Sequence, residues 1–183
     1  MTQQPRPQLT ADAFMEWAAA QEGRFELSGG EIVAMAPERI AHTRAKAEAW
    51  AALKPAIAAR GLGCEALADG VSVRIDDRTV YEPDALVRRG PKAPGDAMEV
   101  GDPDIVVEVV SPSSRGVDTG VKLADYFRLP TLRHYLIVQT EGRAVIHHRR
   151  DGIAIATRIL HEGTLALDPP GLEIGIAGLF ASL

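Results

Sequence analysis

Glu82-Pro83-Asp84-Ala85-Leu86-Val87, then Asp104-Ile105-Val106-Val107-Glu108-Val109-Val110-Ser111, then Asp118-Thr119-Gly120-Val121-Lys122, decide the fold of this chain. The first two segments have the length and β-branched content of buried strands. The second is the most apolar strand candidate present and belongs in the middle of a sheet. Side chains two apart in a strand point to the same face. Glu108 therefore shares a face with Val106 and Val110, while Ile105, Val107 and Val109 form the other; Asp84 shares a face with Leu86. A carboxylate in such an apolar run is costly unless it is paired, hydrogen-bonded or bound to a metal. If the two strands are neighbours, both carboxylates can converge on one divalent cation. Mg²⁺ (or Mn²⁺) suits that arrangement, because it takes one or two carboxylates and keeps positions for water and phosphate. A helix returning after the turn at residues 111–116 would bring Lys122 to the same place, where an ammonium steadies a charged phosphate.

A structural alternative uses the same residues. Asp84 could accept backbone hydrogen bonds at a strand start, and Glu108 could pair with Arg115 or Lys122. The two readings separate on substitution. Carboxylates held against each other repel, so removing Asp84 would leave the fold intact and raise its melting temperature. Removing Lys122 would spare the metal and slow the chemistry, whereas in the structural reading it would strand a buried Glu108.

Working outward, Thr10 is placed to cap a helix running to about Gln21, with Phe14, Trp17 and Ala18 on one stripe. Arg24–Ser28 and Glu31–Met35 read as a hairpin joined by Gly29-Gly30. Glu26, in its first strand, reads as a solvated residue, as most glutamates are. Pro37 opens an alanine-rich helix ending at Gly61-Leu62-Gly63, which Pro55 should kink or restart. Its Trp50, Leu53 and Ile57 share a face. His42, near its start, reads as a surface or capping residue, with contact to a site as the less common outcome. Val71–Ile75 alternates as a half-buried strand. Residues 90–103, rich in Gly and Pro, read as a loop. Strands follow at 134–139, 143–149 and 153–160, and Ile174–Leu183 closes the chain as a short helix or turn. The order predicts an α/β (α+β) domain built on one mixed sheet, with residues 1–8 as a flexible leader and 9–183 as a single domain.

Composition narrows the function classes. With 46% hydrophobic and 25% charged residues, the 183-residue chain reads as a soluble globular domain. A net charge of -5 argues against coating nucleic acid by bulk electrostatics. It leaves room for an enzyme that meets nucleic acid only in one cleft, and Arg88, Arg89, Lys92, Arg115, Arg128, Arg149 and Arg150 are candidates to line it. Cys64, the single cysteine, excludes an intrachain disulfide and a cysteine-rich zinc site. No signal peptide or membrane-spanning run is visible, so a cytoplasmic location is expected.

The pattern Phe25-Glu26-Leu27 with Gly30-Glu31, Pro83-Asp84, Val107-Glu108-Val109-Val110-Ser111-Pro112-Ser113-Ser114, then Asp118, Lys122 and Tyr126, then Tyr135-Leu136-Ile137-Val138, resembles the Uma-type restriction endonuclease family of the PD-(D/E)XK nuclease superfamily. The resemblance spans about residues 9–180. It implies a restriction-endonuclease-like core, with a mixed central sheet flanked by helices, and a metal-dependent endonuclease acting on DNA. It makes Asp84 the first carboxylate and Glu108 the second, both ligands of Mg²⁺ or Mn²⁺. Lys122 replaces the lysine that the superfamily usually carries two residues after the second carboxylate, where this chain has Val110. Glu26, His42, Ser113, Asp118 and Tyr126 are candidate supporting residues. Gln139-Thr140 stands where many relatives have an aspartate after Val138. A second function class keeps the fold without catalysis, as a binding or assembly module. Enzymes that cut both strands often act as two-fold dimers, so a homodimer is expected, with Ile174–Leu183 as the candidate contact.

Overall fold

The computed structural model describes residues 8–110 and 118–183. In chain order it contains α1 (Ala11–Ala18), β1 (Phe25–Ser28), β2 (Glu31–Ala34), α2 (Ile40–Arg60), β3 (Cys64–Ala68), β4 (Ser72–Asp76), β5 (Thr79–Tyr81), β6 (Ala85–Arg89), β7 (Glu99–Val100), β8 (Pro103–Val110), α3 (Asp118–Tyr126), β9 (His134–Gln139), β10 (Ala144–Asp151), β11 (Ala154–Leu160), β12 (Thr164–Leu167), β13 (Leu172–Gly175) and a closing 3₁₀ turn at Ile176–Phe180. The expected leader lies outside the described residues except for Gln8, whose side chain accepts a hydrogen bond from Arg78.

The single mixed sheet expected from the sequence is instead three sheets. The central one has six strands in the order β11-β10-β9-β8-β6-β3; a five-stranded sheet runs β2-β1-β5-β4-β7; β12 and β13 form a third. The strand expected to start at Glu82 begins only at Ala85; Glu82-Pro83-Asp84 lies in no strand, and the preceding Tyr81 ends β5 in a different sheet from β6. Proline has no amide hydrogen for a ladder, so the break falls there.

β8 is buried along its whole length, as its sequence predicts. It pairs antiparallel with β6 on one side and parallel with β9 on the other. A parallel pair needs a crossover connection, and here α3 supplies it. One face of the central sheet (Ala85, Val87, Ile105, Val107, Val109) packs on Ala45, Ala49, Leu53 and Ile57 of α2. The other face (Leu86, Val106, Val110) packs on Tyr126, Phe127 and Leu129 and on Val73 and Tyr81 of the five-stranded sheet. The alternation in β8 thus feeds two cores, and Glu108 falls on the α3 side.

Two helix readings change in detail. Thr10 caps α1 by accepting from the Ala13 amide, as expected. Pro55 neither stops nor restarts α2, which is continuous from Ile40 to Arg60. Pro55 and Ala51 are both exposed, so the carbonyl one turn back, deprived of its donor, can meet water. Leu53 and Ile57, buried on the sheet side, hold the helix down. Gly61 ends it in the left-handed conformation with φ of 60°.

The C-terminal run does not remain available for a partner in the way the sequence suggested. Ile174, Ile176, Leu179 and Phe180 are buried in the α2 core of the same chain. A histidine relay ties the turn between β12 and β13 to the central sheet. His134 Nε2 lies 2.9 Å from the Pro169 carbonyl and must donate to it, so its Nδ1 accepts from His147 Nε2 at 2.8 Å. Burial holds His134 at about 4 and His147 at about 3. Histidines in the unfolded chain titrate near 6.5, so between about 6.5 and 4 only the unfolded state takes up these protons. Stability is therefore complete above that range and falls as pH drops through it, by on the order of 1–2 kcal/mol per histidine at pH 5. Melting curves from pH 7 to 4.5 should show this fall, and His147→Gln, which cannot titrate, should make it shallower; equal slopes would remove the relay from the account.

Candidate active site

Glu108 sits near the end of β8, facing α3. Its Oε1 accepts from Tyr126 OH at 3.0 Å and lies 3.3 Å from Lys122 Nζ. Lys122 and Tyr126 are four apart, one helical turn, and so reach the same carboxylate. Lys122 Nζ also lies 2.8 Å from Glu26 Oε1, which accepts from the Glu82 amide at 2.9 Å. Glu26 is delivered by strand alternation in β1: Leu27 turns to the α1 core, and Glu26 faces the opposite way, buried. The ring of Tyr81 lies 5.1 Å from the ammonium, and its hydroxyl donates to Asp125 at 2.6 Å. Burial pushes the Glu108 carboxyl up to about 8; Lys122 opposes this, and the Asp84 and Glu26 carboxylates add to it. The cluster holds more negative charge than its lysine neutralises.

Asp84 precedes β6 and is fixed to β8 by two backbone contacts. Its amide donates to Val107 O at 3.0 Å, and its Oδ2 accepts from the Val109 amide. Its ionic partners come from α2. Lys46 Nζ is 2.6 Å from Oδ1, and His42 Nε2 is 3.7 Å from Oδ2. Burial alone would raise the Asp84 carboxyl, but the contacts with His42, Lys46 and the Val109 amide outweigh it and hold the group below the usual range. Lys46, only 4% exposed, also meets Glu38 and lies 3.2 Å from Asp69 Oδ2. Asp69 and Glu82 share Arg24.

The two adjacent strands therefore carry Asp84 and Glu108 to one cavity of about 460 Å³, which Glu26, His42, Lys46 and Lys122 also line. Asp84, Glu108, Lys122, Glu26 and His42 are brought together, with Tyr126 behind Glu108. Ser113 and the side chain of Asp118 lie outside the described residues. Three readings need correction. Glu26 is buried and paired rather than solvated, because its strand faces the cluster. His42 reaches Asp84 rather than remaining a cap. Asp84 is held 2.6 Å from Lys46, not against Glu108 alone, so its removal breaks an ion pair as well as relieving repulsion.

Of the basic residues expected to line a cleft, Arg115 lies outside the described residues, and Arg88, Arg89, Lys92, Arg128, Arg149 and Arg150 do not line this cavity. Arg88 binds Asp102, Arg89 binds Asp104, Arg128 binds Asp76, and Arg150 donates to the Leu132, Phe127 and Leu129 carbonyls. Sequence reasoning missed Lys46 and Glu38. The available signal for Lys46 was its place one helical turn after His42, which puts both on one face of α2; Glu38, before the helix, had none.

Divalent-metal chemistry fits the donor set. Glu26, Glu38, Asp84, Glu108 and Glu141 are five carboxylates against Arg39, Lys46, Lys122 and one histidine around one cavity, and carboxylates outnumber the permanent cations. One oxygen or nitrogen from each of Glu38, His42 and Asp84 lies within 4.8 Å of the others, the spacing of a cation site.

Comparison with known proteins gives the same direction. The family model Uma2, described as "Putative restriction endonuclease", matches residues 11–181. The uncharacterized protein slr1290 of Synechocystis sp. is 26% identical over 182 residues, covering 98% of this chain and 95% of that protein. The crystal structure described as that of "a putative nuclease belonging to DUF820" from Anabaena variabilis superposes with a TM-score of 0.73 at 17% identity, covering 94% of this chain and 98% of that one. That likeness establishes the fold.

Proposed function

The chain belongs to the Uma2 family of restriction-endonuclease-like proteins, and from that premise we propose that it is a Mg²⁺- or Mn²⁺-dependent endonuclease that hydrolyses DNA phosphodiester bonds. The observation that carries this reading is the convergence of Asp84 and Glu108, from adjacent strands, with Lys122 in one cavity. Asp84 and Glu108 would hold the metal, which when bound lowers the pKa of a water and offsets charge on the phosphate. Lys122, anchored between Glu26 and Glu108, presents its ammonium where a scissile phosphate would lie, and Tyr126 fixes the Glu108 oxygen by donating to it. Glu26 orients Lys122. The working compartment under this reading is the cytoplasm, where DNA is found, and cutting of both strands favours a homodimer, to be measured by light scattering at micromolar concentration.

One observation favours a second reading. Both carboxylates already have a lysine partner, Asp84 with Lys46 and Glu108 with Lys122, so the site can be charge-paired without a metal. A module that keeps the fold for binding or assembly would look like this. Plasmid nicking in Mn²⁺ and in Mg²⁺ separates the two. The wild-type protein is expected to nick, and Glu108→Gln to lose at least about 10²-fold, the scale of losing one positioned catalytic group. A wild type inactive in both ions would favour the second reading.

A further inference from the structure

We propose that β11 is the interface of a homodimer: two copies pair their β11 strands antiparallel about a two-fold axis at Ala156, joining their central sheets edge to edge. The inference gives the dimer named above a place in the fold, but it rests on this edge alone and holds whether or not DNA is cleaved.

β11 ends the central sheet, with β10 on one side and, among the described residues, no strand on the other. Its seven residues pair with β10 without a bulge, and Ala154–Ile159 are all exposed. An open edge invites pairing with another chain, and soluble proteins blunt it with proline, bulges or several charges. Ala154–Leu160 carries only Arg158. The opposite edge is treated differently. There β3 is largely half-buried, and Trp50 Nε1 of α2 donates to the Ala66 carbonyl at 3.2 Å.

The hairpin sets which groups face outward. Asp151 and Ala154 close a two-residue turn and form a hydrogen-bonded pair, so by alternation Ile155, Thr157 and Ile159 turn their amides and carbonyls to the free edge. A two-fold pairing must join outward residues to outward residues. With the axis at Ala156, Ile155 meets the partner's Thr157 and Ile159 meets the partner's Ile153. These side chains lie on the α3 face of the sheet, where Ile146, opposite Ile159, packs against the core. Ile153, Ile155 and Ile159, at 109%, 41% and 63% exposure, then line up as one apolar stripe across the junction.

Charge selects the same register. On the other face Arg158 lies beside the partner's Ala154, which is paired in turn with Asp151 of its own β10. Arg158 and the partner's Asp151 stand about 10 Å apart at Cα, across a methyl side chain, within reach of an arginine. Neither makes an ion pair among the described residues; Arg158 bonds His147 Nδ1 at 3.4 Å. The two-fold makes the new pair twice. Moving the axis to Thr157 would instead set the two Arg158 side chains diagonally against each other.

Sedimentation equilibrium on the full chain reads the dimer, and circular dichroism confirms that each variant is folded. The wild type should dimerise with a Kd on the order of 10 µM, the weak end that suits an interface built on one strand pair. Ile155→Pro removes an outward amide from an edge strand, where proline is tolerated, and should weaken dimerisation about 10²-fold. Asp151→Arg and Arg158→Asp should each weaken it about 10-fold or more, as two attractions become two repulsions. The double variant should return to within about 3-fold of the wild type, which keeps the test decisive if Ile155→Pro does not fold. A wild type still monomeric at about 300 µM, a dimer that survives folded Ile155→Pro, or charge variants that the double variant does not rescue would each overturn the proposal. Plasmid nicking separates the readings: a β11 dimer that cuts nothing keeps the interface and loses the nuclease, and nicking by a monomer does the reverse.

Discussion

Lys122→Met is expected to cost about 3–5 kcal/mol of stability and, in protein that remains folded, to slow cleavage by about 10²-fold or more. The stability term follows from burial. Lys122 is 6% exposed and its ammonium serves two buried carboxylates, Glu26 at 2.8 Å and Glu108 at 3.3 Å. Methionine fills the space without the charge and leaves Glu26 and Glu108 without their shared cation in a poorly solvated pocket. Breaking a buried pair costs more than never having built it, because the remaining charge is stranded. The double variant Lys122→Met, Glu108→Gln should therefore recover part of the loss, and recovery of stability without recovery of cleavage would separate the two roles. Metal affinity tests the assignment from the other side. Lys122 competes with a cation for Glu108, so its removal should leave Mg²⁺ or Mn²⁺ affinity unchanged or slightly improved. A variant of wild-type stability would show that the ammonium is not holding these carboxylates together.

Asp84→Ala is expected to abolish divalent-metal binding and cleavage together, and to lower the melting temperature. The sequence alone suggested that the temperature would rise through relief of repulsion. The structure reverses the sign, because Asp84 answers the Val109 amide and sits 2.6 Å from Lys46. Its loss leaves one buried amide without its acceptor, which costs about 1–3 kcal/mol. Lys46 keeps Glu38 and Asp69 and is not stranded, so the destabilisation should be smaller than for Lys122→Met. Thermal melting and metal titration on both variants check the order. A stabilised Asp84→Ala would mean that repulsion from Glu108 outweighs both contacts.

Particular residues show how far the sequence could be read. β8 was legible because eight consecutive residues with only two acids can be satisfied only inside a sheet. Glu108 stood out against that background, Lys122 followed from the helix expected after it, and Tyr126 came with the family resemblance. Gly29-Gly30 and Gly61 marked the hairpin and the end of α2 because both demand a left-handed backbone. Glu26 and Lys46 were not legible. Each looks like an ordinary surface charge on its own element, and nothing in a local window says that an opposite charge from a remote segment will meet it. Lys122 reaches Glu26 across 96 positions of chain.

The sequence by itself thus determined the helices, the longer strands and their apolar faces, and it singled out Asp84 and Glu108, since these depend on side-chain period, turn chemistry and the cost of burying a charge; the short β3, β5, β7, β12 and β13 were not among its strands. The tertiary structure alone decided the partition into three sheets, the use of Ile174–Phe180 in the chain's own core, and the pairing of Asp84 with α2 and Glu108 with α3. The physical reason is range. Propensity and alternation act over a few residues, whereas the ion pairs that set the electrostatics of this site form between side chains distant in sequence, and only packing says which of them share a cavity.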